Sequence, residues 1–219
     1  MASGSELAYN WVRQQVTDGH VPAGSFIDEA TICEATGVSR TPAREALNRL
    51  AGERFIEIIP RRGARVRELS PDEVLQTFEA RFLIESAVVG KAIRSNEATE
   101  ILTEMRRHLS AMEEVEYPTT HAERLRHLEA DRLFHRAYMA AVGNQLILDF
   151  YDSLWPLHER HALLTTGALR DWYADVGDQH RAIYRSLSEG DEPGTLALLA
   201  IHLRPFSRWR ASYDFNRKA

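Results

Sequence analysis

The chain has 219 residues, 44% of them hydrophobic and 27% charged, with a formal net charge of −5. That length holds one large or two small domains, and that balance excludes a disordered or fibrous chain. No uncharged apolar run approaches the ~20 residues of a membrane span. The start, MASGSELAYN, lacks the basic and apolar regions of a secretion signal. Cys33 stands alone, so no internal disulfide can form, and a reducing, cytoplasmic setting is expected.

Leu7, Trp11, Val12 and Val16 make an apolar stripe at helical spacing, which predicts a first helix over 5–18, ended by Asp18-Gly19-His20. Val21-Pro22-Ala23-Gly24 reads as a loop. A short second helix is expected over 28–36, with Ala30, Ile32, Cys33 and Ala35 available to pack. Cys33 among these reads as small core filler rather than a reactive thiol.

The informative stretch is GVSRTPAREALNRLAGERFIEIIPRRGARV, residues 37–66. Gly37-Val38 is a tight turn, and Ser39 is placed to cap the next helix by accepting a backbone N–H. Pro42 falls in the first turn, where a missing N–H costs nothing. Ala43, Ala46, Leu47 and Leu50 share one apolar face, while Arg40, Arg44 and Asn48 step along another with Thr41 beside them. After Gly52 the period becomes alternating: a strand around Ile56 and Ile58, a Pro60-Arg61-Arg62-Gly63 turn, and a return strand over 64–66. Residues 39–67 hold eight arginines against three glutamates, a local +5 in a chain of net −5. Such an island is the electrostatic footprint of a polyanion site, and arginine grips phosphate or reads guanine bidentately. An ordinary amphipathic helix with a solvated arginine face is the plainer alternative. The run of turn, cap, two-faced helix and Arg-Arg-Gly hairpin favours a winged helix-turn-helix.

Over about residues 5–67 the chain resembles the GntR family of bacterial transcription regulators. The resemblance implies operator binding by a homodimer on double-stranded DNA. It carries over DNA contacts to Ser39, Arg40, Thr41, Arg44 and the wing residue Gly63, beside the basic wing residues Arg61 and Arg62. Some members place an arginine in the second helix where this chain has Ala30.

Glu68-Leu69-Ser70-Pro71-Asp72-Glu73 is a short polar connection; Ser70 with Glu73 forms a capping-box pattern, and Pro71 sits at the first helical position. Beyond it the pattern is helical almost throughout. Helices are expected over 71–95, 97–115, 119–142, 144–166, 168–189 and 192–213, broken at Ser95-Asn96, Tyr117-Pro118, Gly143-Asn144, Thr166-Gly167 and Gly190-Asp191. The expected fold is therefore mainly α. An amino-terminal winged helix-turn-helix over 1–67 with a small β-hairpin wing precedes an all-α bundle of about six helices over 68–219. That second part is acidic, with 18 Lys/Arg against 24 Asp/Glu, and is a poor DNA binder.

Within it, Asp131 and His135 lie at i, i+4, while His180 and His202 lie in apolar helical stretches. Buried imidazoles need partners. One hard oxygen and three borderline nitrogens suit a divalent metal such as zinc, nickel or manganese. Core histidines satisfied by backbone carbonyls are the alternative, and that reading is kept for His20, His108, His121, His127, His158 and His161.

EARFLIESAV, DRLFHRAY, GNQLI, DQHRAIYRSL and LALLAIHL, in that order over about 72–213, resemble the FCD domain found behind GntR modules. The resemblance implies an Asp and three His holding a metal, at Asp131, His135, His180 and His202. It also implies a small effector, commonly an organic acid. Arg81 then has two readings: a fork for the effector carboxylate, or a salt bridge to Glu85 four residues on. Asn144 reads as a helix cap. The leading expectation is a repressor released by a carboxylate effector bound near the metal. Its rivals are a metalloenzyme, which lacks an evident general base, and a sensor for which the metal itself is the signal.

Overall fold

The computed structural model describes residues 3–68, 70–115, 117–165 and 170–203. They group into two compact units: Met1–Val74 with Pro156–Leu164, and Leu75–Trp155 with Thr165–Ala219.

In the first unit, α1 spans Gly4–Thr17 and opens with a capping box between Ser3 and Glu6. Its buried stripe is Ala8, Tyr9, Val12 and Val16; Val12 and Val16 are as expected, Trp11 packs partly buried on the core, and Leu7 is exposed. A two-residue strand, β1 (Phe26–Ile27), had no signal in the sequence. It leads into α2 (Glu29–Thr36), capped by Asp28, whose carboxylate accepts the Thr31 N–H at 2.8 Å. Only Ile32 of α2 is fully buried; Cys33 packs half-buried on the core, while Ala30 and Ala35 face solvent. Gly37 ends α2 at φ 74, a left-handed conformation that glycine adopts without strain.

The recognition helix α3 spans Arg40–Gly52, with Ala43, Ala46, Leu47 and Leu50 all buried. Ser39 is its N-cap residue but makes no side-chain capping bond, against expectation. The helix ends in a Schellman motif: Phe55 N–H reaches Leu50 O at 2.9 Å, Arg54 N–H reaches Ala51 O at 3.1 Å, and Arg54 holds φ 60. The left-handed residue is thus Arg54 and not the nearby Gly52. Strands β2 (Ile56–Ile59) and β3 (Gly63–Val66) form the wing hairpin, and β1 pairs on the far side of β3, giving the order β1-β3-β2. The wing is a three-stranded sheet rather than a bare hairpin. Gly63, at φ 94, pairs with Ile59, and a Cβ there would lie 3.0 Å from the Ile27 carbonyl oxygen. Val12, Ile32, Ala46, Leu50, Phe55, Ile56 and Val66 belong to one core. Each large apolar side chain so buried contributes ~1.5–3 kcal/mol.

The 156–164 segment completes this unit. Arg160 is fully buried, donates from Nη1 to Arg54 O at 3.2 Å and from Nη2 to Arg67 O, and lies over the Phe55 ring at 5.7 Å. Burial and the Arg67 charge pull its pKa down to about 10, so it stays charged at neutral pH. Arg160 thereby ties the two ends of the wing, the residue before Phe55 and the residue after Val66. Glu159 pairs with Arg13 of α1.

The second unit is helical among its described residues. Beyond the wing the helices are α4 (Pro71–Ile93), α5 (Ala98–Glu113), α6 (His121–Met139), α7 (Gln145–Ser153), α8 (Trp155–Thr165), α9 (Arg170–Ser188) and α10 (Glu192–His202), of which α8 carries the 156–164 segment of the first unit. Pro71 opens α4 as expected, and the Glu73 carboxylate takes Arg67 at 2.6 Å. A capping box of Thr120 and Glu123 starts α6, and a 3-10 turn over Ala140–Val142 follows it. Asn144 caps α7 as expected, accepting from Leu146 N–H at 3.0 Å. The helix expected over 144–166 is two helices. Pro156 has no N–H to continue the ladder of α7, so the chain breaks at Leu154 and restarts with Pro156 in the first turn of α8. The Thr166-Gly167 break, the start of the 168–189 helix and the 204–213 end of the last helix lie outside the described residues. Helix α5 packs on α6 and α9, and α9 on α10, around Met105, Leu109, Phe134, Tyr138, Ile183 and Leu199.

Candidate nucleic-acid interface and metal centre

The face opposite the buried side of α3 carries Arg40, Thr41, Arg44 and Asn48, all exposed. Arg40, Arg44, Leu47 and Asn48 line one wall of a cleft of about 490 Å³, Ile58, Ile59, Pro60, Arg61 and Gly63 of the wing line the other, and Asp28, Glu29 and Ala30 at the start of α2 complete it. The cleft is open to solvent and rimmed by guanidinium groups, which suits a polyanion.

Not every arginine of the basic island is available. Arg49 pairs with Glu53 at 3.1 Å, Arg65 with Glu57, Arg67 with Glu73 at 2.6 Å, and Arg54 reaches the same Glu73 at 4.0 Å. Arg44 pairs with Glu29, Nε to Oε1 at 2.7 Å and Nη2 to Oε2 at 3.3 Å. Among the described residues, no carboxylate lies within ion-pair reach of Arg40, Arg61 or Arg62; Arg62 sits over the Phe26 ring at 5.8 Å. The local +5 therefore concentrates into three unneutralised cations, one on the helix and two on the wing tip. The tip is a turn closed by Arg62 N–H to Ile59 O at 3.0 Å, with Arg61 at φ 64. A non-glycine residue there carries roughly 1 kcal/mol of backbone strain.

In the second unit, Asp131 and His135 of α6, His180 of α9 and His202 of α10 converge, with one ligand atom from each lying within 4.8 Å of all the others. His135 Nε2 is 3.2 Å from both His180 Nε2 and His202 Nε2, and Asp131 Oδ1 is 2.8 Å from His180 Nε2. Ligands about 2.0–2.1 Å from a shared centre, at octahedral or tetrahedral angles, lie roughly 2.9–3.4 Å apart, so the spacing fits a metal.

The outer nitrogens support that reading. His135 Nδ1 donates to the Glu85 carboxylate at 2.9 Å, and His202 Nδ1 donates to Gln179 Oε1 at 2.9 Å. Each ring therefore turns an unprotonated Nε2 toward the other. Two lone pairs 3.2 Å apart cannot bond each other; a shared metal ion would satisfy both, as would a proton on one of them. Burial holds both rings below their ordinary pKa, and the neutral form is the ligating form. Residues satisfied by backbone carbonyls, the plainer expectation for these histidines, do not describe this geometry.

Glu85 is the residue that sequence reasoning underrated. It is fully buried and accepts from Arg81 Nε at 2.9 Å, His135 Nδ1 at 2.9 Å, Tyr151 Oη at 2.9 Å and Tyr138 Oη. Burial pushes its carboxyl up, but Arg81 above all, then His135 and Tyr138, outweigh this and keep it ionised. Arg81 is 1% exposed and forms the salt bridge that was one of its two expected roles. Its i, i+4 spacing from Glu85 was visible; that both would stand behind His135 was not. Gln179 and Glu29 carried no local signal at all. Of the other histidines, His127 stacks edge-on against Tyr173 at 5.1 Å, and burial with the neighbouring His158 brings His161 down to about 3.

Comparison with known proteins matches these two regions to two families. Residues 5–66 match the gntR family of bacterial regulatory proteins, and residues 76–205 match the FCD domain. The gluconate operon transcriptional repressor of Bacillus licheniformis is 27% identical over 196 residues, 87% of this chain and 77% of that protein. The HTH-type transcriptional repressor GlaR of Escherichia coli is 25% identical over 202 residues, 89% of this chain and 90% of that one. The solved structure of E. coli McbR/YncC shares the fold with a TM-score of 0.73 at 19% identity, covering 99% of this chain and 100% of the other. A GntR regulator of Rhodococcus sp. RHA1 does so with 0.71 at 22% identity, over 97% of each. The chain belongs to the GntR family of bacterial regulatory proteins, with an FCD domain behind its winged module, and is a transcriptional regulator rather than an enzyme.

Proposed function

We propose that this protein is a ligand-responsive repressor. A homodimer binds a pseudo-palindromic DNA operator through Ser39, Arg40, Thr41 and Arg44 of α3 and Arg61, Arg62 and Gly63 of the wing. The observation that carries this is the cleft between α3 and the wing, lined by the unneutralised Arg40 and Arg61 and by Arg44 in an otherwise acidic chain, with Arg62 beside Arg61 at the wing tip. Repression is supported by the relatives, several of which are transcriptional repressors by name. Dimerisation is supported by large apolar side chains left exposed in the helical unit, among them Leu83 at 63% and Leu146 at 80%. In this reading residues 1–67 read DNA, residues 68–219 sense and dimerise, and the protein works in the cytoplasm.

Asp131, His135, His180 and His202 would hold one divalent ion, zinc, nickel or manganese by donor chemistry. When bound, such an ion supplies a Lewis-acidic point that a small carboxylate can ligate. Glu85 and Gln179 keep the His135 and His202 rings oriented for it. Arg81 first anchors Glu85; as an effector contact it would share its guanidinium between Glu85 and the effector carboxylate. An effector releases DNA only if it prefers one of two dimer arrangements. Gel shift on a selected duplex, with and without a panel of small organic acids, tests the whole reading. Retention of full DNA affinity across the panel, in protein whose metal content is verified, would remove the carboxylate. A second reading, with the metal itself as signal, draws on the depth of the cluster; chelator alone would then abolish the shift.

A further inference from the structure

We infer that Glu29 is a specificity-determining residue for DNA reading: it aims Arg44 so that the outer edge of the guanidinium meets one base. The inference rests on the DNA-binding reading above and adds a residue to it. Glu29 stands in the first turn of α2 and lines the same cleft as Arg40, Arg44, Asn48 and Arg61. Its two carboxylate oxygens take the Nε and Nη2 protons of Arg44 in a parallel fork, at 2.7 and 3.3 Å. The arginine side chain is otherwise 68% exposed, and among the described residues nothing else bonds it.

Two consequences follow from the chemistry of that fork. An exposed arginine samples many rotamers, and a bidentate partner removes most of them before DNA arrives. The bonded edge is the Nε–Nη2 side. The edge left over carries one proton of each Nη, and that pair fits guanine O6 and N7. The second consequence concerns charge. Arg44 keeps Glu29 ionised, so the pair is neutral as a unit. Arg44 then adds little to sequence-blind attraction for phosphate, which falls to Arg40, Arg61 and Arg62. The architecture separates reading from gripping: a neutralised, oriented arginine on the helix, and bare arginines around it.

The test uses the full chain and a randomised double-stranded DNA pool. Wild type selects a motif. Affinities of wild type, Glu29→Gln, Arg44→Ala and the double variant are then measured on the enriched duplex and on a shuffled duplex, across KCl concentrations. Glu29→Gln should bind the shuffled duplex at least as tightly, with a log–log salt slope steeper by about 0.9 per protomer, since one masked cation is released. It should lose roughly tenfold of its preference for the enriched duplex. Its own selected motif should lose one guanine per half-site, the same one lost by Arg44→Ala, and the double variant should be no worse than Arg44→Ala. Arg44→Lys, which keeps the charge but has no fork, should lose that guanine with Glu29 intact, a check that does not depend on how Glu29→Gln folds. The inference is overturned if Glu29→Gln keeps its full preference, or if it shifts both duplexes by one common factor, which would make Glu29 a mere competitor. A wild type that enriches no motif overturns the DNA-binding reading itself, an outcome distinct from either of these.

Discussion

The reading face and the histidine cluster are built on opposite principles. The face comes from one helix and one hairpin, within a span of about 25 residues, and its side chains end in water. The cluster draws Asp131 and His135 from α6, His180 from α9 and His202 from α10, and buries nearly all of it. Exposed arginines cost little to fold, so the face needs only a helix with the right period. Buried polar groups cost several kcal/mol unless each has a partner; Glu85 and Gln179 supply one to His135 and His202, and Arg81, Tyr138 and Tyr151 in turn surround Glu85. One site is inexpensive to make and easy to vary. The other is tied to the stability of its whole unit.

That contrast can be broken most forcefully at Glu85. Glu85→Ala removes the shared acceptor of Arg81, His135 and two tyrosines and leaves a buried guanidinium uncompensated. We expect a loss of ~3–5 kcal/mol in a urea titration, with Glu85→Gln less damaging. A cost below 1 kcal/mol would mean that the network is dispensable.

Next in size is the ion itself. Added metal at about a hundredfold above its Kd should stabilise wild type by ~2.7 kcal/mol. His180→Ala should show little of this gain, and elemental analysis should find its metal content depleted. Equal thermal shifts in the two proteins would disprove ligation by His180.

On the reading face the effects should fall on DNA and not on folding. Arg44→Ala is expected to weaken binding to the selected duplex by ~1–3 kcal/mol with an unchanged melting temperature, and Arg61→Ala by less, without sequence preference. A melting temperature that drops along with affinity would erase the contrast.

The smallest effect has the opposite sign. Arg61→Gly relieves the left-handed backbone at the wing tip. It should raise stability by up to ~1 kcal/mol in chemical denaturation while lowering DNA affinity. A glycine variant that is less stable would mean that the Arg61 side chain holds the wing together.

Much of this was legible from residues alone. Period, cap residues and punctuation placed α1 to α3, the hairpin, and most later helices, because amphipathic spacing and missing N–H groups act locally. Three features escaped a local reading. Ser39 makes no capping bond, although its sequence position was right. The left-handed turn after α3 fell on Arg54, whose carbonyl accepts from Arg160, 106 residues away. Strand β1 is two residues long and exists by pairing with β3.

By itself the sequence determined the order of elements, the basic island, and the identity of four residues able to share a metal. Only the tertiary structure decided which arginines stay unneutralised, that Glu29 meets Arg44 from 15 positions away, and that one carboxylate orients His135 while holding Arg81. The reason is physical. Local periodicity dictates which way a side chain points. Its charge and proton depend on neighbours that folding brings from elsewhere in the chain.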